Sequence, residues 1–226
     1  MFSEKEFSDR QQTVNIFTGA SFTKKLNTGY TCFGSVSIYG DNTQHVDLSD
    51  YQISIDSSKY GEIAAIRLGV LQALYYKKMN PLVKKINIFS NSEICIKGLR
   101  NYCFKWMNYI TLYKTIQPLE THIEDWISNQ DVFLCIIRTI IDNDLPISFY
   151  HCSGNSSECK KNSAIVKRIK NTFMKMNGFH VPESTIQTIV YMKSKVDEES
   201  RRLLVNSNLS YSDLLGKVSY KFILSS

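Results

Sequence analysis

The chain has 226 residues, of which 43% are hydrophobic and 21% are charged, with only 10 glycines and 4 prolines. This length and balance exclude a disordered, collagen-like or linker-rich chain and favour one α/β domain with an extension. Lys and Arg number 27 against 21 Asp and Glu, and the resulting net charge of +6 favours a polyanionic partner without demonstrating one.

No stretch is long and apolar enough to predict a membrane span, and the opening MFSEKEFSDRQQ lacks the apolar core of a secretion signal. We therefore expect an intracellular protein without membrane contact, and the sequence does not decide between cytoplasm and nucleus. The six cysteines stand singly, without the C-x-x-C pairs of a zinc site, so we expect reduced thiols.

Three antiparallel strands are predicted in the first part of the chain. TVNIFTGASF (13–22) and YTCFGSVSIYG (30–40) are rich in β-branched and aromatic residues, and the turn-prone KKLNTG separates them. HVDLSDYQISI (45–55) is the third strand and follows GDNTQ, which has the composition of a loop.

Helices and strands alternate in the next part of the chain. The pattern predicts helices over 57–80, 93–109, 122–142 and 164–176, and strands over 84–91 and 146–152. A strand–helix–strand order implies parallel pairing. The predicted fold class is therefore α/β, with a mixed five-stranded sheet of three antiparallel and then two parallel strands, flanked by helices.

The C-terminal part is predicted to be a separate, mainly helical extension. Residues 182–205 have the pattern of an amphipathic helix, and the residues after them show no clear period. We place the domain boundary after Gly178, which gives a domain over 1–178 and an extension over 179–226.

Four stretches, in chain order, resemble motifs of the ribonuclease H family, particularly its type 1 and retroelement forms. IFTGAS (16–21) is similar to the first-strand motif in which Thr precedes Asp-Gly-Ser, and GEIAA (61–65) is similar to the first helix with its Glu. IFSNS (88–92) is similar to the fourth-strand motif Thr-Asp-Ser, and YHCSGN (150–155) to the last strand and its His loop. The resemblance covers roughly residues 13–176 and implies the ribonuclease H-like fold.

The resemblance also implies a site from which most acids have been lost. Family nucleases hold two Mg²⁺ ions among four acids, because the attacking and leaving oxygens both need a cation. Here Gly19 and Asn91 occupy two acid positions, and the last falls near Ile165 or Val166. Glu62 is the only retained acid, so we expect neither a metal nor hydrolysis at this site.

Other acids could rebuild the cluster, in which case Mg²⁺ would be the cofactor. Asp41, Asp47 and Glu93 are the candidates, and Glu93 is the best because it lies two residues after Asn91. Glu93 could equally stabilise the start of the next helix, and Glu62 could be an ordinary first-turn helix acid.

His151 resembles the loop histidine that assists product release in the family, but alone it could be a phosphate contact or an inert residue. His151, Cys152 and Cys159 suggest no common zinc site, because a fourth ligand is not evident. Cys152 next to His151 on a strand would point to the opposite face, which disfavours a nucleophilic pair. No glycine-rich phosphate loop occurs.

A basic stretch interleaved with aromatic residues follows the second predicted strand–helix turn. Its cations, Lys97, Arg100, Lys105 and Lys114, could bind the backbone of an RNA–DNA hybrid or of double-stranded RNA by shape and charge. The neighbouring aromatic side chains could equally belong to the core.

The leading hypothesis is a catalytically inactive ribonuclease H-like protein that acts as a nucleic-acid-binding or assembly module. Retroelement polymerases carry a similarly inactivated copy of this domain as a structural connector, so the resemblance supports a scaffold role. One alternative is an active metal-dependent RNA–DNA hybrid endonuclease with a cluster rebuilt around Glu62 and Glu93. Another is a protein-interaction subunit that binds a partner through residues 182–226 and no nucleic acid.

Overall fold

The computed structural model describes residues 12–25, 28–39, 42–44, 50–53, 58–102, 129–153 and 163–206. Its strands are β1 Thr13–Lys25, β2 Thr28–Tyr39, β3 Asn42–Gln44, β4 Asp50–Ile53, β5 Lys85–Ser90 and β6 Ile147–His151. Its helices are α1 Ser58–Met79, α2 Glu93–Lys97, α3 Gln130–Asp142, α4 Ser163–Asn177 and α5 Glu183–Asn206, and a π-helical segment, Gly98–Tyr102, continues α2.

The strands form one mixed sheet with the order β3-β2-β1-β5-β6, and β4 also pairs with β2. β1 and β2 are antiparallel, as are the pairs of β2 with β3 and with β4, whereas β5 is parallel to both β1 and β6. This arrangement confirms the predicted fold class: an antiparallel half followed by two parallel strands, in the ribonuclease H-like order.

The predicted third strand, 45–55, has different bounds in the structure. Two short strands share that edge of the sheet: β3 pairs with the end of β2 and β4 with its beginning. β3 lies in the GDNTQ segment that we predicted as a loop. An edge strand bonds on one side only and tolerates polar residues, so composition was a poor guide there. Residues 45–49, 54 and 55 lie outside the described residues.

The predicted helices 93–109 and 122–142 are each described in part. The first begins at Glu93 as α-helix and changes to π-helix at Gly98, and the second is helical from Gln130 to Asp142. Residues 103–128 lie outside the described part of the chain.

Helices cover the sheet on both faces, because side chains alternate along each strand. Val14 and Ile16 of β1 lie in a hydrophobic cluster with α1, α2 and α3. Phe17 lies on the opposite face, in a second cluster with α4 and α5, where its ring stacks on Phe89 of β5 at 4.9 Å between centroids. The site described below lies where these two helical layers meet at the end of the sheet.

Helix α5 is an integral part of the second layer. Its buried residues Ile186, Ile189 and Val196 share one cluster with Phe17 of β1 and with Phe173 of α4. The predicted boundary after residue 178 therefore separates two helices that bury their apolar faces together.

Two further sequence expectations concern membranes and cysteines. No helix in the described part of the chain combines the length and the apolar character needed to cross a membrane. The cysteines in that part, Cys32, Cys95, Cys135 and Cys152, are free thiols.

Gly69 of α1 permits the close contact between this helix and β1. A Cβ atom at residue 69 would lie 2.9 Å from Cγ2 of Thr18 and 3.3 Å from Cγ2 of Ile16. Alanine favours a helix over glycine by about 1 kcal/mol, yet we expect Gly69→Ala to destabilise the protein by about 1–2 kcal/mol through this overlap. Urea denaturation measures the change. Adding Thr18→Ser, which removes Cγ2, should recover part of the loss; no recovery would contradict the packing explanation.

Candidate functional site

The candidate site lies where β1 extends beyond its partner β5. The last β1–β5 pair is Phe17 with Phe89, whereas β1 continues to Lys25 paired only with β2. Side chains from α1 on one face and α5 on the other can therefore approach each other beside Gly19. The carboxyl ends of β5 and β6 bring Asn91 and His151 to the same place, since parallel strands end at one edge of a sheet.

Glu62 projects into this site from the first turns of α1. With its amide nitrogen turned towards the carboxylate, Asn91 lies 3.3 Å from both Glu62 oxygens. Burial raises the pKa of Glu62 to about 7, although the charge of Lys193 acts to lower it. The resemblance had placed Glu62 and Asn91 at two family acid positions, and the structure brings these two side chains together.

Lys193 and Asp197 of α5 form a hydrogen-bonded ion pair beside Gly19. The Lys193 side chain is 0% exposed, and that of Asp197 is 17% exposed. A Cβ atom at residue 19 would lie 2.4 Å from Oδ1 of Asp197 and 2.9 Å from Nζ of Lys193. Burial raises the pKa of Asp197, and Lys193 opposes that shift. Glycine at residue 19 thus leaves the space that the ion pair occupies.

Sequence reasoning missed both Lys193 and Asp197. It placed the last acid position near Ile165 or Val166, but these α4 residues lie in or against the hydrophobic cluster, and the helix beside Gly19 is α5. Glu62 is therefore accompanied by a second acid. The signal was a lysine within the buried stripe of α5, because lysine is almost never fully buried unless it is paired.

The donors at this site do not fit two magnesium ions. Glu62 and Asp197 supply two carboxylates, Asn91 supplies a neutral amide, and Asp197 is already bound to an ammonium group. Within the described ranges, no group of three or more His, Cys, Asp or Glu side chains is arranged to hold a metal ion. Asp41, Asp47 and Cys159 lie outside those ranges.

His151 is held firmly at the end of β6. Its backbone N–H donates to Oδ1 of Asn177 at 3.0 Å, its backbone carbonyl accepts from Nδ2 of Asn177 at 2.8 Å, and its Nε2 lies 3.2 Å from the Asn91 carbonyl. Burial lowers the pKa of His151, which favours the neutral ring. Cys152 is fully buried, and burial raises the pKa of its thiol to about 12, so it is unsuited to nucleophilic chemistry.

Glu93, the predicted candidate for a rebuilt cluster, is exposed in the first turn of α2. Its carboxylate lies 2.5 Å from Nζ of Lys97, and this contact lowers its pKa. The structure therefore pairs Glu93 with Lys97, one of the predicted nucleic-acid contacts. Lys97 itself remains 56% exposed.

Arg100, a second predicted nucleic-acid contact, makes its contacts within the protein. Its Nε donates to the Phe149 carbonyl at 2.9 Å, its Nη1 to the Met176 carbonyl at 3.1 Å, and its Nη2 to Oδ1 of Asn177 at 2.7 Å. Nη2 also donates to the Phe149 carbonyl. Four of the five N–H groups of a guanidinium are thus used to join the π-helical segment, β6 and α4. The other two predicted contacts, Lys105 and Lys114, lie outside the described residues.

An open cleft of about 430 Å³ adjoins the ion pair. Its lining is small or polar and includes the Asp197 carboxylate and the Arg201 guanidinium: Ala20, Ser21, Asn91, His151, Ser153, Asp197 and Arg201. Serine hydroxyls and a guanidinium can donate hydrogen bonds to an anionic oxygen, whereas Asp197 repels one.

Comparison with protein-family models and with curated proteins found no match. Among solved structures, the chain is similar to the foamy viral protease-reverse transcriptase in complex with an RNA/DNA hybrid, with 15% identity and a TM-score of 0.48 over 79% of this chain and 21% of that one. It is similar to LC11-RNase H1, isolated from compost, with 15% identity and a TM-score of 0.45 over 73% and 97% of the two chains. It is also similar to RNase H1 from Halobacterium salinarum, with 13% identity and a TM-score of 0.39 over 62% and 86%.

The raised pKa of Glu62 gives a testable dependence of stability on pH. A group whose pKa is raised on folding contributes stability below its unfolded value, and this stability is lost as the pH rises through the folded value of about 7. We expect Glu62→Gln to remove this loss, so that the variant gains roughly 2 kcal/mol relative to the wild type between about pH 5 and pH 8. Urea denaturation across this range measures the difference.

Glu93→Gln is the matched control, because Glu93 is exposed and its pKa is lowered rather than raised. The Glu93→Gln variant should gain no free energy of unfolding relative to the wild type as the pH rises. Parallel curves for the wild type and Glu62→Gln would contradict the assignment.

Proposed function

We propose that this ribonuclease H-like chain is a catalytically inactive protein that binds nucleic acid or supports an assembly. The observation that carries the proposal is the Lys193–Asp197 ion pair packed against Gly19. It puts a positive charge beside the place where the family resemblance calls for an acid.

The chemical requirements of hydrolysis support the hypothesis that the protein is catalytically inactive. Metal-dependent cleavage needs an activated water and a cation at the leaving oxygen. Asn91 is neutral, Asp197 is bound to Lys193, and burial raises the pKa of Glu62 to about 7, so that much of it is protonated near neutral pH. Too little negative charge then remains to attract two dications.

The surface beside the cleft supports binding of a polyanion. Lys97 and Lys175 are exposed on α2 and α4, and both act on the charge of Glu93, so they share one side of the molecule. Arg201 stands in the cleft lining. Contacts from Lys and Arg to phosphates need no base sequence, so an RNA–DNA hybrid or double-stranded RNA is the proposed ligand, with Lys105 and Lys114 as further proposed contacts.

An assembly role through residues 182–226 is also part of the proposal. Because α5 buries Ile186, Ile189 and Val196 in the core, a partner would have to contact the outer face of this helix or residues 207–226. The outer face offers Tyr191, which is 49% exposed.

The first test is cleavage of a labelled RNA–DNA hybrid with Mg²⁺ or Mn²⁺. We expect no cleavage above a metal-free control, because the carboxylates needed to hold two cations are missing. Cleavage that Glu62→Gln abolishes would establish the active endonuclease instead. Loss with Glu62→Gln but not with Glu93→Gln would further assign the activity to this site.

The second test is the binding of labelled duplexes, which fluorescence anisotropy measures at several salt concentrations. Replacing Lys97 and Lys175 together by alanine should weaken binding and reduce the slope of log affinity against log salt by about 2, because each removes one phosphate contact.

The control for the binding test removes the same charge elsewhere. Lys78 and Lys84 are exposed. Lys84 precedes β5 and Asn91 follows it, so Lys84 lies about 20 Å from Asn91, at the opposite end of that strand. Lys78 is in the last turn of α1, whereas Glu62 is near the start of that helix. The double replacement of Lys78 and Lys84 by alanine should change the slope little. If the wild type binds no duplex at low salt, the proposed nucleic-acid binding is wrong and only the protein-interaction role is left.

A further inference from the structure

We propose that the buried ammonium group of Lys193 is the resident cation of this site, and that it replaces a metal ion as the counter-charge of Glu62 and Asp197. The site would then be permanently neutralised by its own chain. This inference goes beyond the proposed function, because it concerns what holds the carboxylates together and not what the surface binds.

The burial of Lys193 is the first support. A lysine with 0% exposure must be paired, because an isolated ammonium group in a protein interior is strongly unfavourable. Its hydrogen-bonded partner is Asp197, and its charge also acts on Glu62. The positive charge of this one ammonium group therefore acts on two acids, which come from helices on opposite faces of the sheet.

The space beside Gly19 is the second, independent support. Nζ of Lys193 lies 2.9 Å from the point that a Cβ atom at residue 19 would occupy, so an acidic side chain and this ammonium group cannot both fit without movement. Compared with a family site that has an acid at this position, glycine at residue 19 removes one negative charge, and Lys193 adds one positive charge. The two changes together alter the local charge by two units, as one divalent ion would.

The charges around the site leave no deficit for a metal to fill. Glu62 and Asp197 are the acids, and Lys193 and Arg201 are the cations that act on them. Asn91 is a neutral amide, and burial raises the pKa of the Cys152 thiol to about 12, so neither carries a charge. His151 lines the same cleft, and burial lowers its pKa, which favours the neutral ring. A divalent ion entering here would meet two positive groups and at most two negative ones, since much of Glu62 is protonated near neutral pH.

The test is direct binding of Mn²⁺ at matched ionic strength. Titration calorimetry measures the affinity, and the thermal unfolding midpoint measures the stabilisation by the ion. The wild type should bind no Mn²⁺ saturably at this site, and its midpoint should be the same in Mn²⁺ as in a chelator. The variant Gly19→Asp/Lys193→Ala restores a third carboxylate and removes the ammonium group. It should bind Mn²⁺ saturably, at least about tenfold more tightly than any residual binding by the wild type, and its midpoint should rise by about 5 °C in Mn²⁺.

The matched control is the same variant with Asp197→Asn added, which should lose most of the gain if Mn²⁺ binds at this site. Equal Mn²⁺ binding by the double and triple variants would overturn the proposal, as would saturable Mn²⁺ binding at this site in the wild type. If the double variant does not fold, Lys193→Ala alone decides: its midpoint should rise with Mn²⁺, and no rise would overturn the proposal. No nucleic acid is present, so the result is separate from that of the binding and cleavage tests.

Discussion

The ion pair between Lys193 and Asp197 is the interaction on which the character of this site depends. Burying two charges is costly unless each finds its partner, so the pair and its surroundings must stay together. α5 is also tied to β1 by the hydrogen bond from the Ser200 hydroxyl to the Gly19 carbonyl at 3.3 Å. Through these contacts the last described helix, rather than any element of the first half of the chain, determines the charge that Glu62 experiences.

Much of the fold could be predicted from the sequence, because its elements are specified locally. Alternating β-branched residues mark β1 and β2, and an apolar helical face marks α1. Glu62 and Asn91 could be placed together for a related reason, since motifs at the ends of neighbouring elements meet at one edge of a sheet. Lys193 and Asp197 could not be placed this way. Ser200, which follows them on α5, is 181 residues from its partner Gly19, and only tertiary packing decides which face of α5 meets β1.

Arg100 is a second residue whose role could not be predicted from the sequence. Sequence identifies a cation near aromatic residues, but whether its guanidinium meets solvent depends on where β6 and the end of α4 lie. Here those elements present the carbonyls of Phe149 and Met176, and Asn177 bonds both Arg100 and His151. Next to the cleft residue His151, Arg100 is therefore hydrogen-bonded within the protein rather than free to bind a ligand.

The missing side chain at Gly19 also restricts how this sequence can change. An acid introduced there alone would place its Cβ atom 2.4 Å from Oδ1 of Asp197. The atoms in the way are the ends of the Asp197 and Lys193 side chains, so a carboxylate at residue 19 requires these side chains to move or to be replaced. We therefore expect residues 19, 193 and 197 to change together rather than independently in the evolution of this sequence.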